Sequence, residues 1–198
     1  MQNFSTAERE LLRHRFLYLR QVLPMIDYRE GKGRKEKNVQ WILQQEQQNN
    51  YDRIFVTGHN SHVAKWGSYD SMGKILSKEV ENGYYVIGTD FYRTRCNMPT
   101  RSSAKRTNQV FYSHDPLAKA AKLSGYDICW LNFEKVPGNS ELGRQISEYT
   151  YMGTLGESYL MIMRLLPPSY RMFQPPAVLY DSMIFVSDAN PIKIISEE

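Results

Sequence analysis

The sequence predicts an α/β fold, a mostly parallel central sheet flanked by helices. Three observations lead there. Short apolar runs rich in β-branched and aromatic residues recur along the chain, at 54–56, 84–87, 110–112, 126–133 and 178–186, as buried strands do. Between several of them lie stretches whose apolar residues repeat at three- and four-residue spacing, the signature of amphipathic helices. Capping residues punctuate those stretches, and strands that alternate with helices build sheets of parallel strands.

Taken in order, Ser5 and Glu8 have capping-box spacing, and Leu12, Phe16, Leu19, Leu23 and Ile26 form one apolar stripe. This predicts an N-terminal helix within residues 1–30, ended or kinked by Pro24. Residues 27–33 form a turn-rich connector with two glycines, and a second helix covers 35–47 with Val39, Ile42 and Leu43 inward. The run 54–56 reads as a buried strand that stops at Gly58. Ser71 then caps a helix whose apolar face is Met72, Ile75, Leu76 and Val80, and Gly83 ends it. A strand at 84–87 follows, with Asp90 just past its end.

Residues 93–107 are dense in Arg, Ser and Thr and read as a long loop. It either offers Arg93, Arg95 and Arg101 to a pocket or is surface alone. A short strand at 110–112 leads to Asp115, a cap with Pro116 behind it, and to a helix terminated by Gly125. The run 126–133 reads as another buried strand. Gly143, Gly153 and Gly156 suggest turns, 159–166 is a strand or a short helix, and Pro167, Pro168, Pro175 and Pro176 argue against regular structure around them. The run 178–186 closes the sheet.

With 198 residues, 41% of them hydrophobic and 23% charged, the chain is expected to fold as a single α/β domain over 1–198. The formal charge of +4 is mild, and the basic cluster Lys32, Arg34, Lys35 and Lys37 lacks interleaved aromatic residues, so nucleic acid is not an expected partner. Arginines at 9, 13, 15 and 20 interrupt every apolar run at the N-terminus, which gives neither a signal peptide nor a membrane span. A cytoplasmic location is expected. Cys96 and Cys129 have no metal spacing. The apolar stripe of the first helix, or an open sheet edge, offers a surface for self-association.

The chemistry concentrates after Gly58, where His59, Asn60, Ser61 and His62 arrive together. Polar side chains just past the carboxyl end of a strand face the crevice in which open α/β sheets bind ligands. A strand–helix–strand unit would bring Asp90 to the same edge, where it either orients an imidazole or caps a turn. As a metal site the two histidines lack a third ligand and the spacing of zinc hydrolases, so no cofactor is expected. As a pair of imidazoles they can position water and stabilise charge on an ester carbonyl. Each histidine taken singly fits a structural role; together beside an Asn they point to a site. Trp66 and Tyr69 follow, as a wall for a bulky substrate or as ordinary packing. No Gly-x-Ser-x-Gly elbow marks a serine nucleophile.

Three ordered blocks carry a resemblance: Gly58-His59-Asn60-Ser61-His62-Val63, Ser71-Met72-Gly73, and Tyr84 through Phe91 with its Gly88-Thr89-Asp90-Phe91 end. With Arg34 and Lys37-Asn38-Val39 before them and Tyr180 through Val186 after them, the sequence resembles the erythromycin esterase family, which hydrolyses macrolactone esters and includes succinoglycan-biosynthesis-labelled relatives. The resemblance covers 31–198 and only the later part of a full-length family member. It therefore implies an erythromycin-esterase-like fold with the N-terminal part missing. It implies His59 and His62 as catalytic residues and a small-molecule ester or macrolide as substrate; beside them Arg34, Asn60, Trp66 and Asp90 are the expected substrate-binding residues. The family's N-terminal Gly-Glu-x-x-His-Gly-like motif, which supplies its proposed base, has no counterpart in this sequence. Two readings follow: a histidine-assisted ester hydrolase, or a catalytically silent half that binds a ligand or a separate N-terminal half.

Overall fold

The computed structural model describes residues 39–40, 42–44, 53–67, 69–100, 103–156 and 158–191. The chain divides into two compact units, Met1–Ile54 and Phe55–Glu198. In the first, residues 39, 40 and 42–44 are helical with Val39 and Ile42 buried, as the pattern there predicts. The expected helix within 1–30 and Arg34 lie outside the described residues.

The second unit opens without a strand. Residues 54–56 take no part in any sheet, and Phe55 is 60% exposed. An apolar run becomes a strand only where a neighbour pairs its backbone, and none of the described strands runs beside this one. A one-turn helix, α1 (Asn60–Val63), follows. Ser71 caps α2 (Met72–Glu79), its Oγ accepting from Lys74 N at 3.1 Å, and Leu76 is buried on the inner face.

β1 (Ile87–Thr100) begins three residues later than expected and runs on for 14 residues. It turns back as β2 (Ser103–Tyr112), so the expected loop at 93–107 is a hairpin. Its polar residues obscured the strand pattern because they sit on one face as cross-strand and inter-strand partners. Asn97 Nδ2 donates to Asn108 Oδ1 at 2.8 Å, and Arg106 Nε donates to Asn97 Oδ1 at 2.8 Å. Arg93 and Arg95 pair with Asp188 at 2.9 and 3.6 Å. On the opposite face Asp90, Thr94 and Met98 of β1 and Phe111 of β2 are buried, the period of two that a half-covered sheet requires.

Asp115 caps α3 (Pro116–Leu123), accepting from Leu117 N at 3.1 Å, and Gly125 beyond it takes φ +83°, where a side chain would be strained. β3 (Ile128–Asn132) follows. The expectation that this run is buried holds on one face only: Cys129 and Leu131 pack against the main core, whereas Ile128 and Trp130 alternate to the opposite face and are exposed, Trp130 by 62%. Ser140 caps α4 (Glu141–Ser147), which leads to β4 (Thr150–Gly153) and α5 (Ile162–Leu165). The prolines do not exclude regular structure. Pro167 opens a 3-10 turn before β5 (Arg171–Gln174), and Pro176 is the first residue of α6 (Pro176–Leu179), the helix position that needs no N–H donor.

β6 (Ser182–Ala189) completes a four-stranded sheet of order β2-β1-β6-β3. Only the β1–β6 ladder is parallel; β1–β2 and β3–β6 are antiparallel, and β4 and β5 form a separate antiparallel pair. The mostly parallel sheet of the sequence reading is thus a mixed one, since a tight hairpin can join only antiparallel neighbours. Helices flank it, and Val86, Leu117, Phe133, Met152, Leu179, Tyr180, Met183 and Phe185 make the main core. Met98, Phe111, Met163 and Tyr170 form a smaller one under the hairpin. Among the described residues no helix is long and apolar enough to cross a membrane.

Candidate active site

The His59–His62 turn docks on the edge of β1 that β2 does not reach. Asn60 makes the junction: its Nδ2 donates to Thr89 O at 2.6 Å, and its Oδ1 accepts from Thr89 N at 3.1 Å and Thr89 Oγ1 at 3.2 Å. The following residues are held from the other side. Lys65 N donates to Leu179 O at 3.0 Å, Lys65 Nζ pairs with Asp181 Oδ1 at 2.5 Å, and Asp181 Oδ2 accepts from Val86 N at 2.7 Å.

His59 is the cap of α1. Its Nδ1 lies 3.3 Å from Ser61 N and 2.8 Å from Ser61 Oγ, while Nε2 lies 2.8 Å from Leu155 O. A carbonyl oxygen can only accept, so Nε2 carries the hydrogen and Nδ1 is the acceptor. The imidazole is thereby assigned as the neutral Nε2–H tautomer. The His62 ring stands edge-on to it, centroids 6.1 Å apart. His62 Nδ1 is 3.5 Å from Tyr69 Oη, whose hydroxyl donates to Ser61 O at 2.9 Å. Trp66, 45% exposed, lies just beyond the turn.

Asp90 is not past a strand end, as the sequence reading had it, but inside β1 and only 3% exposed. Its oxygens accept from Phe91 N at 2.7 Å, Ser113 Oγ at 2.9 Å and Gly153 N at 3.1 Å. Asp115 is fully buried and joined to it through Ser113, whose Oγ donates to Asp90 Oδ2 at 2.9 Å and accepts from Asp115 N at 3.4 Å. Burial pushes Asp90 above the usual carboxylate range; burial and the neighbouring Asp90 charge push Asp115 up to about 7. Burial, with the Asp90 charge, also raises the Tyr180 phenol. Asp115 is the helix cap that its place before Pro116 predicts, and Gly153, expected in a turn, is instead the last residue of β4; Ser113 and Leu155 carry no local signal. The cations Arg93 and Arg95, read as possible pocket groups, are paired with Asp188, and Arg101 lies outside the described residues. Among the described residues no group of three or more His, Cys, Asp or Glu side chains converges as metal ligands would.

A family model described as erythromycin esterase matches residues 36–189. No curated protein sequence matches the chain. A solved succinoglycan biosynthesis protein superposes with a TM-score of 0.54 at 14% identity, over 67% of this chain and 32% of that one. A solved protein from Bacillus cereus superposes with a TM-score of 0.59 at 16% identity, over 70% of this chain and 34% of that one. Likeness at this identity is likeness of fold, and this chain spans about a third of the length of each of the two structures.

Proposed function

The chain belongs to the erythromycin esterase family, and from that premise we propose that it hydrolyses carboxylic esters, macrolactones among them, by histidine-assisted attack of water. The observation that carries this reading is the His59–His62 turn itself: two imidazoles stand side by side on a short helix that Asn60 fastens to β1. The geometry suits water attack. The water oxygen adds to the acyl carbon, its proton passes to an imidazole nitrogen, and negative charge collects on the former carbonyl oxygen, where an imidazole N–H stabilises it. Collapse of the tetrahedral intermediate breaks the bond to the alkoxide, which takes the proton back. His59, as the Nε2–H tautomer, is a ready donor once substrate oxygen replaces Leu155 O; Asn60 serves by holding the turn. Trp66, on the exposed side, is available as an apolar wall for the acyl or macrocyclic part.

A second reading has its own support. Both ring nitrogens of His59 are engaged, and the chain spans about a third of the two solved structures. On that reading it binds the ester but completes its site only with a separate N-terminal half. Hydrolysis of a macrolide and a panel of simple lactones, followed by mass spectrometry, tests both. Turnover that disappears in His59→Ala and His62→Ala supports the esterase; turnover unchanged in both removes the turn from the mechanism. Binding without turnover by the folded chain supports the half-site.

A further inference from the structure

The four-stranded sheet ends differently on its two sides. The β2 side is guarded. β2 carries Lys105 and Arg106, its ladder with β1 slips register between Pro99 and Thr100, and the Tyr112 carbonyl accepts from Arg171 Nη2 at 2.9 Å and Tyr170 Oη at 3.3 Å. Charges, irregular register and covering side chains keep an edge strand from pairing with other chains. β3, at the other end, has none of these. Ile128-Cys129-Trp130-Leu131-Asn132 holds no charge and no proline, and its ladder with β6 is regular.

The backbone of β3 is open in a regular way. Ser187 N donates to Asp127 O at 2.8 Å, and Phe133 N donates to Asp181 O at 3.0 Å. In an antiparallel ladder alternate residues turn both backbone groups toward the same neighbour. Residues 127, 129, 131 and 133 therefore face β6. Ile128, Trp130 and Asn132 turn their N–H and C=O groups outward, where these meet no partner among the described residues. Apolar surface gathers at the same place. Leu123, Tyr126, Ile128 and Trp130 are each exposed by 62% or more, a level that only Met161 and Leu165 reach elsewhere among the described large apolar residues.

We propose that the β3 edge is a self-association surface, on which β3 of a second copy of this chain pairs antiparallel about a two-fold axis at Trp130. Unpaired N–H and C=O groups at every second residue call for another strand, since a helix has satisfied its own. The open positions are symmetric about Trp130. One register, Ile128 with Asn132 of the second copy and Trp130 with Trp130 of the second copy, therefore pairs all of them, as a two-fold contact requires. Each chain carries a formal charge of +4, and an uncharged strand lets two copies meet without like charges opposed. The side chains agree with this register. The two Trp130 rings become a cross-strand pair on the exposed face, and Cys129 meets Leu131 of the second copy on the covered one. β6 and β1 stand between this edge and the Asn60 clamp, so the pairing goes beyond the esterase reading and does not depend on it.

A strand of five residues makes a small interface. In sedimentation velocity the full chain should therefore be a dimer at high concentration and a monomer on dilution. Backbone amide exchange along the same dilution series reads the edge itself. Ile128, Trp130 and Asn132 should be protected in the concentrated sample and exchange freely in the dilute one, while Cys129 and Leu131, bonded to β6, stay protected in both. Trp130→Lys changes an exposed side chain and should stay monomeric at every concentration without that protection. A wild-type chain that is monomeric throughout would overturn the proposal. So would a dimer whose three edge amides exchange as they do in the monomer, because its contact lies elsewhere. Edge amides protected alike in the monomer would also overturn it, since another part of the chain then holds the edge. Should Trp130→Lys fail to fold, Ile128→Lys replaces it, and the wild-type dilution series decides by itself.

Discussion

The carboxamide of Asn60 pairs with the backbone of Thr89 as a neighbouring strand would, donating to its carbonyl at 2.6 Å and accepting from its N–H at 3.1 Å. β2 pairs with β1 only from Arg93 onward, so Asn60 satisfies backbone groups that the hairpin leaves open. It also ties the histidine turn to the sheet.

Asn60→Ala should therefore leave Thr89 without these partners and free the turn. A lost pair of this kind costs about 1–3 kcal/mol. Urea unfolding should show a lower midpoint, and amide exchange at Thr89 should lose its protection. Unchanged exchange there would mean that the clamp contributes nothing in solution.

The Asp115 carboxyl, raised from 3.8 to about 7, makes stability depend on pH in a defined sense. The folded state holds this proton more tightly than the unfolded chain. Its contribution is fully present below about pH 4 and is lost as pH climbs through about 7. Asp115→Asn should flatten that decline in a series of urea titrations across this range. A wild-type chain that gains stability steadily over the same interval would contradict the assignment.

Gly153→Ala places a methyl group where Asp90 Oδ1 and the Phe91 ring already stand, at 2.5 and 3.2 Å. The carboxylate cannot retreat without giving up its donors. A loss of about 1–3 kcal/mol is expected. Thermal unfolding checks it: an unchanged midpoint would mean that the segment yields without cost.

Asp181 joins three pieces of chain through Lys65 Nζ and Val86 N. Asp181→Ala should cost about 1–3 kcal/mol, chiefly through the Val86 N–H that loses its acceptor. The Lys65 pair is partly exposed and weighs less. Raising the salt concentration should accordingly change wild-type stability far less than the substitution does.

The features legible in the sequence are those whose cause lies within a few residues. Ser71 and Asp115 cap their helices by accepting from N–H groups two or three positions on, and Gly125 ends α3 with a backbone angle that the sequence makes cheap. The turn that presents His59 and His62 is equally local, although the bond of His59 to Ser61 within it was not foreseen. The family, too, could be read from short ordered blocks. What tertiary structure alone decided was set by partners far along the chain. Residues 54–56 have strand-like composition but no described strand beside them, whereas the Arg- and Thr-rich 93–107 becomes strand because β2 and Asp188 pair with it. Asp90 looked like a residue at a strand exit; Ser113, 23 positions away, and Gly153, 63 away, make it a buried acceptor. The partner of His59 Nε2 is Leu155 O, 96 residues distant. A cap needs only its own turn, but a buried charge takes its properties from every group that excludes water from it, and those groups meet only when the sheet closes.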